Sequence, residues 1–67
     1  MDVVAQFGKN VRAFREGAGL SQEELAFRAA MKRTYLSDLE RGKRNPTVRA
    51  LGRLASALEI EPARLLD

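Results

Sequence analysis

The chain has 67 residues, contains neither Cys nor His, and carries a net charge of +3. A chain of this length makes one small domain (1–67) that buries only about 60% of its unfolded surface. The missing residue types exclude disulfides, a thiolate metal site and the commonest catalytic base, which leaves a partner subunit as the available support.

Taken in chain order, apolar residues first recur at Val4, Phe7, Val11, Phe14 and Ala18, spacings of three and four that predict a helix over 3–18. Arg12 and Glu16 form an outward i,i+4 pair, and Gly19 ends the helix. Arg15 sits beside the apolar stripe. It reads either as a surface arginine snorkelling to water or as one half of an ion pair with Glu40, which lies four residues after Leu36 and also borders an apolar face.

A second helix is predicted over 22–29. Ser21 caps it, its hydroxyl reaching the N–H of Glu24 while the Glu24 carboxylate reaches back, and Leu25 and Ala26 point inward. A tight turn falls near Ala29, Ala30 and Met31. The third helix runs over 32–41, with Lys32 as its N-cap and Gly42 as the residue of positive φ that stops it. Its period of 3.6 residues puts Tyr35, Leu36 and Leu39 on one side and Arg33, Thr34, Ser37, Asp38 and Arg41 on the other. Lys cannot accept a hydrogen bond, so the Lys32 cap is weak.

The segment GKRNP at 42–46 is a loop, in which Pro46 keeps Asn45 extended. Thr47 caps a fourth helix over 48–58, whose apolar face is Val48, Leu51, Leu54, Ala55 and Leu58. Arg49 and Arg53 face solvent. Glu61 and Pro62 open a short final helix carrying Leu65 and Leu66.

Charge is uneven along this order. Residues 1–27 sum to −1, residues 28–53 to +6 and residues 54–67 to −2. Positive charge is thus concentrated on the third helix and the loop after it, an electrostatic footprint for a polyanion. The outer face of the third helix offers donors, acceptors and charge within two turns, an inventory suited to base edges in a DNA major groove. Arg33 can grip guanine O6 and N7. Thr34 offers a hydroxyl and a methyl. Asp38 can accept from cytosine N4 or orient Arg33. Arg41, Lys43, Arg44 and Asn45 are placed to track phosphates.

The stretches GLSQEELA at 19–26, YLSDLERG at 35–42 and KRNP at 43–46 closely resemble the helix-turn-helix of the lambda-repressor-like fold, the Xre/Cro type of bacterial and phage regulator. The resemblance spans roughly Phe7 to Leu66. It implies an all-α, compact five-helix DNA-binding domain with the helix-turn-helix at helices 2 and 3. It implies DNA base-reading by Lys32, Arg33, Thr34, Ser37 and Asp38. Phosphate contacts fall to Gln22, Arg41, Lys43, Arg44 and Asn45, with Gln22 at a helix end where backbone N–H groups point outward. Relatives carry a matching structural ion pair at the places of Arg15 and Glu40, and in some of them acidic residues near Glu23 and Glu24 touch RNA polymerase. The family has Gly in the turn where this chain has Ala30. A positive φ there should cost about 1 kcal/mol relative to Gly.

The expected function is a sequence-specific transcriptional regulator acting as a homodimer on a palindromic double-stranded DNA operator. Ile60, Leu65 and Leu66 are the expected dimer interface, because so short a final segment leaves apolar surface over; the alternative is that the leucines close the monomer core. The stretch RTYLSDLERGKRN resembles controllers of restriction–modification operons, beside which stand phage-type repressors and antitoxins. No nucleophile–base pair, phosphate loop or ligand cluster suggests an enzyme, and neither metal, cofactor nor small-molecule ligand is expected. A protein-interaction module that has lost DNA binding would leave the clustered cations without a purpose. No apolar run nears the ~20 residues that span a bilayer, and MDVVAQFGKN lacks the order of a signal peptide. A cytoplasmic location, on the bacterial or phage nucleoid, is therefore expected, with no membrane partner.

Overall fold

The computed structural model describes residues 2–67. Its elements are α1 (Val3–Gly17), α2 (Gln22–Arg28), α3 (Arg33–Glu40), α4 (Val48–Leu58) and a 3₁₀ helix (Pro62–Leu66). Four α-helices and a 3₁₀ turn thus replace the five helices expected. The last segment has five residues, with Pro62 at its start, too few for a stable α-helix.

Side-chain caps open three of the four α-helices of the described residues. Asp2, Ser21 and Thr47 cap α1, α2 and α4 with side-chain oxygens. At α2 the capping box is complete: Glu24 N–H donates to Ser21 Oγ at 3.0 Å, and Ser21 N–H donates to Glu24 Oε1 at 2.8 Å. Lys32 makes no side-chain cap, as its chemistry requires. All four helices end in one motif, a residue of positive φ followed by a backbone bond reaching back five residues. Those residues are Gly19, Ala30, Gly42 and Glu59, with φ of 72°, 56°, 71° and 58°. The matching bonds run from the N–H of Leu20, Met31, Lys43 and Ile60 to the carbonyls of Arg15, Ala26, Asp38 and Ala55. Ala30 therefore occupies the strained conformation that its place in the turn implied.

The core sits where α1, α2, α3, α4 and the 3₁₀ helix converge. Phe7 and Val11 of α1 meet Leu25 and Ala26 of α2, Leu36 and Leu39 of α3, Leu54 and Ala55 of α4, and Leu65. Several details depart from the helical periodicity. Val48, expected on the apolar face of α4, is 86% exposed. As the first residue of the helix it precedes Ala50, the first one buried. Ala18 is exposed as the cap of α1.

Leu65, assigned with Ile60 and Leu66 to a dimer interface, is fully buried in the monomer core. It has no surface to offer a second subunit. Asn10 Nδ2 donates to the Leu65 carbonyl at 3.0 Å, and Gln6 Nε2 donates to Asn10 Oδ1, so α1 pins the 3₁₀ turn in place. Ile60 is half-buried against the core, whereas Leu66 remains 52% exposed.

Gly8 explains how α1 lies so close to the end of α3. A Cβ at this position would collide with the Leu39 carbonyl oxygen and stand 2.9 Å from the Glu40 carbonyl oxygen. Only a residue without a side chain allows two backbones this proximity.

Candidate nucleic-acid interface

The interface is held in place from behind by an ion pair. Arg15 of α1 donates from Nε to Glu40 Oε2 at 2.7 Å and from Nη2 to Oε1 at 3.1 Å, while its Nη1 donates to the Leu20 carbonyl at 2.9 Å. The two side chains are only 12% and 3% exposed. Gln22 Nε2 donates to the same Oε1 at 3.0 Å. Glu40 thus ties α1, the start of α2 and the end of α3 together, and the charge-assisted bonds satisfy its buried oxygens. The bonds to Glu40 outweigh burial and push the Arg15 pKa upward, so the guanidinium stays charged.

Gln22 reaches this network rather than standing free in solvent. Its amide nitrogen carries two hydrogens, of which the bond to Glu40 uses one. At the exposed start of α2, the backbone and side-chain bonds to Ser21 hold the Glu24 carboxyl below its ordinary range.

The outer surface follows from the pairing of α2 and α3. With Leu36 and Leu39 buried, Lys32, Arg33 and Thr34 are exposed at the start of α3, and Ser37 and Asp38 are half-buried one turn on. Arg41, Lys43, Arg44 and Asn45 are exposed at and after its C-terminus. The residues expected to face DNA are therefore all exposed or half-buried, Gln22 among the half-buried. Asp38 does not pair with Arg33. Its Oδ2 lies 3.9 Å from Nε of Arg44. Arg44 also places its Cζ 5.2 Å from the centroid of the Tyr35 ring, within cation–π range. A groove of about 300 Å³ opens there, lined by Met31, Lys32, Thr34, Tyr35, Asp38 and Arg44.

Sequence periodicity missed three contributors. Nothing in the spacing singles out Gly8 or Asn10, and the Tyr35–Arg44 contact joins a helix to a loop whose path no spacing rule gives. Among the described residues no group of acidic, His or Cys side chains could hold a metal, and no helix is long and apolar enough to cross a membrane.

Comparison with known proteins places this geometry. A family model described as Helix-turn-helix matches residues 11–65. The control protein C.BamHI of Bacillus amyloliquefaciens is 44% identical over 62 residues, which cover 91% of this chain and 76% of that protein. The crystal structure of the restriction–modification controller protein C.AhdI from Aeromonas hydrophila superposes with a TM-score of 0.91 at 44% identity, covering 92% of this chain and 94% of that one. The biofilm master regulator SinR, crystallised in complex with DNA, superposes with a TM-score of 0.87 at 32% identity, over 91% of this chain and 98% of that one. A homologous SinR sequence comes from Bacillus subtilis. With a family model matched over most of its length and relatives of 44% identity, the chain belongs to the helix-turn-helix family of DNA-binding transcriptional regulators.

Proposed function

We propose that the protein is a sequence-specific regulator of transcription that inserts α3 into the major groove of an operator and acts as a homodimer. The observation that carries this reading is the exposed, uncapped and cationic start of α3, flanked by the exposed cations of the following loop. In this reading Arg33, Thr34 and Lys32 meet base edges, with Ser37 behind them, because the N-terminal residues of a recognition helix reach deepest. Arg41, Lys43 and Asn45, with the second amide hydrogen of Gln22, bind the flanking phosphates. Similarity to C.BamHI and C.AhdI supports control of a restriction–modification operon as the biological setting. The exposed Glu23 and Glu24 at the start of α2 are where an RNA polymerase contact would fall.

Dimerisation rests on the exposed Leu66 and half-exposed Ile60, and on the small number of base pairs one reading helix can touch. Two such helices would read half-sites about 34 Å apart, giving a palindrome. Selection from a random DNA pool tests the whole reading. The expected result is a palindromic site, bound with a log–log salt slope that gains about −0.9 for each phosphate neutralised. Arg33→Ala should relax one base preference at a cost of about 1–3 kcal/mol, and Lys43→Ala should weaken all sequences alike. Leu66→Glu should split the dimer while leaving helix content intact. A flat salt response with no selected site would refute DNA recognition.

A further inference from the structure

Arg44 stands in the loop among cations expected to meet phosphates, yet its side chain does not extend along that path. It folds back over the first turn of α3. Its Cζ lies 5.2 Å from the Tyr35 ring centroid and its Nε 3.9 Å from Asp38 Oδ2. The guanidinium therefore borders the groove whose other walls are Met31, Lys32, Thr34, Tyr35 and Asp38, beside the base-reading end of the helix. We propose that Arg44 is a specificity-determining residue that reads a guanine, and that Asp38 and Tyr35 are positioning residues that aim it. The inference rests on the DNA-binding reading given above.

Three features of the geometry favour a guanine edge over a phosphate. The first is orientation. Asp38 faces Nε, and no protein acceptor among the described residues engages the Nη atoms, so the fork remains available for two parallel hydrogen bonds to O6 and N7. The second is charge. A phosphate gripped by that fork would sit within a Debye length, about 8 Å, of the Asp38 carboxylate, and the two anions would repel. A guanine edge has no net charge and presents only the partial charges of O6 and N7, so its repulsion is much smaller. The third is preorganisation. The ring of Tyr35, half-buried against the core, is a fixed shelf. An arginine laid on it loses less side-chain freedom when it binds. Among the described residues no ring or carboxylate holds Lys43 in this way, so the two neighbouring loop cations have different tasks. Asp38, expected to touch cytosine or to orient Arg33, acts instead through Arg44.

The test uses the full chain and the operator that the wild type selects, with each base pair of a half-site replaced in turn. Arg44→Lys keeps the charge and removes the planar fork. It should cost about tenfold or more in discrimination at one base pair, distinct from the one that Arg33→Ala relaxes, while leaving the salt slope nearly unchanged. Asp38→Asn should relax the same base pair by a smaller factor, on the order of threefold, and should add nothing in an Arg44→Lys background. Arg44 and Asp38 are both surface side chains, and a melting curve for each variant checks that the fold is kept. Unchanged base preference in Arg44→Lys would overturn the assignment of Arg44. An Asp38→Asn effect at a different base pair, an effect additive with Arg44→Lys, or no effect at all would overturn the positioning role. These outcomes differ from failure of the DNA-binding reading, in which the wild type itself would select no sequence.

Discussion

Two arginine–carboxylate pairs end on α3, and they serve opposite purposes. Arg15 and Glu40 meet at 2.7 Å with side chains 12% and 3% exposed, and every Glu40 oxygen is satisfied. Arg44 and Asp38 approach only to 3.9 Å with side chains 56% and 37% exposed. Chemistry is the same in both, so solvent decides the difference. In the shielded pair, separating the charges leaves one uncompensated in a poorly solvated site. In the exposed pair water and salt take over when the partners part, and the interaction contributes little to stability. One pair fixes how the helices meet. The other leaves an arginine free to exchange its partner for a ligand.

Removing one member of the shielded pair should have the largest effect on the protein. Glu40→Ala should cost about 3–5 kcal/mol in chemical denaturation, and a double variant with Arg15→Met should cost less than the sum of the single changes. Additive losses would mean that the two groups do not depend on one another, and the contrast between the pairs would fail.

The next effect tests what brings the shielded partners together. Gly8 lets α1 approach the carbonyls of Leu39 and Glu40, so Gly8→Ala should force the helices apart and cost about 1–3 kcal/mol. Its melting temperature should fall with little change in helix content by circular dichroism. A wild-type melting temperature would show that the approach of α1 to α3 is looser than this packing implies.

For the exposed pair the expected stability change is small. Asp38→Ala should alter unfolding free energy by less than about 1 kcal/mol, even though base preference on DNA responds. A loss comparable to that of Glu40→Ala would place both pairs in the same structural role.

The smallest effect concerns a third acid, which is fully exposed and bonded to backbone. Hydrogen bonds to Ser21 lower the folded-state pKa of Glu24. The unfolded chain therefore binds this proton more readily, and stability from the charged carboxylate is complete above the ordinary glutamate range. It is lost as pH falls through the lower folded value. Glu24→Gln keeps an acceptor for the Ser21 N–H but cannot titrate. The wild type should therefore melt slightly higher than this variant at neutral pH, and the gap should close in acid. A gap independent of pH would remove charge from the account of this cap.

The helix ends show where sequence reading succeeds and where it stops. Gly19 and Gly42 announce positive φ because glycine alone adopts it without cost, and both have it. Ala30 was legible only through resemblance to the family, and Glu59 not at all, since neither side chain signals the left-handed region that their backbones occupy. The same limit applies to burial. Leu36 and Leu39 lie inside as their spacing requires, but Val48 on an equally regular face is exposed, and Leu65 is enclosed where a partner had been expected to cover it.

What the sequence determined by itself was local and periodic: the capping box at Ser21, the stops at Gly19 and Gly42, the middle of each inward stripe and the concentration of positive charge between residues 28 and 53. These follow from bonds and repeats within a few residues, which the chain carries wherever it goes. What only the tertiary structure decided was pairing at a distance. Gly8 matters because α3 ends against it, Gln22 is tethered because Glu40 arrives beside it, and Arg44 lies over Tyr35 because the loop turns back toward α3. Such contacts depend on the angles at which packed helices cross, and those angles are set by the whole core at once.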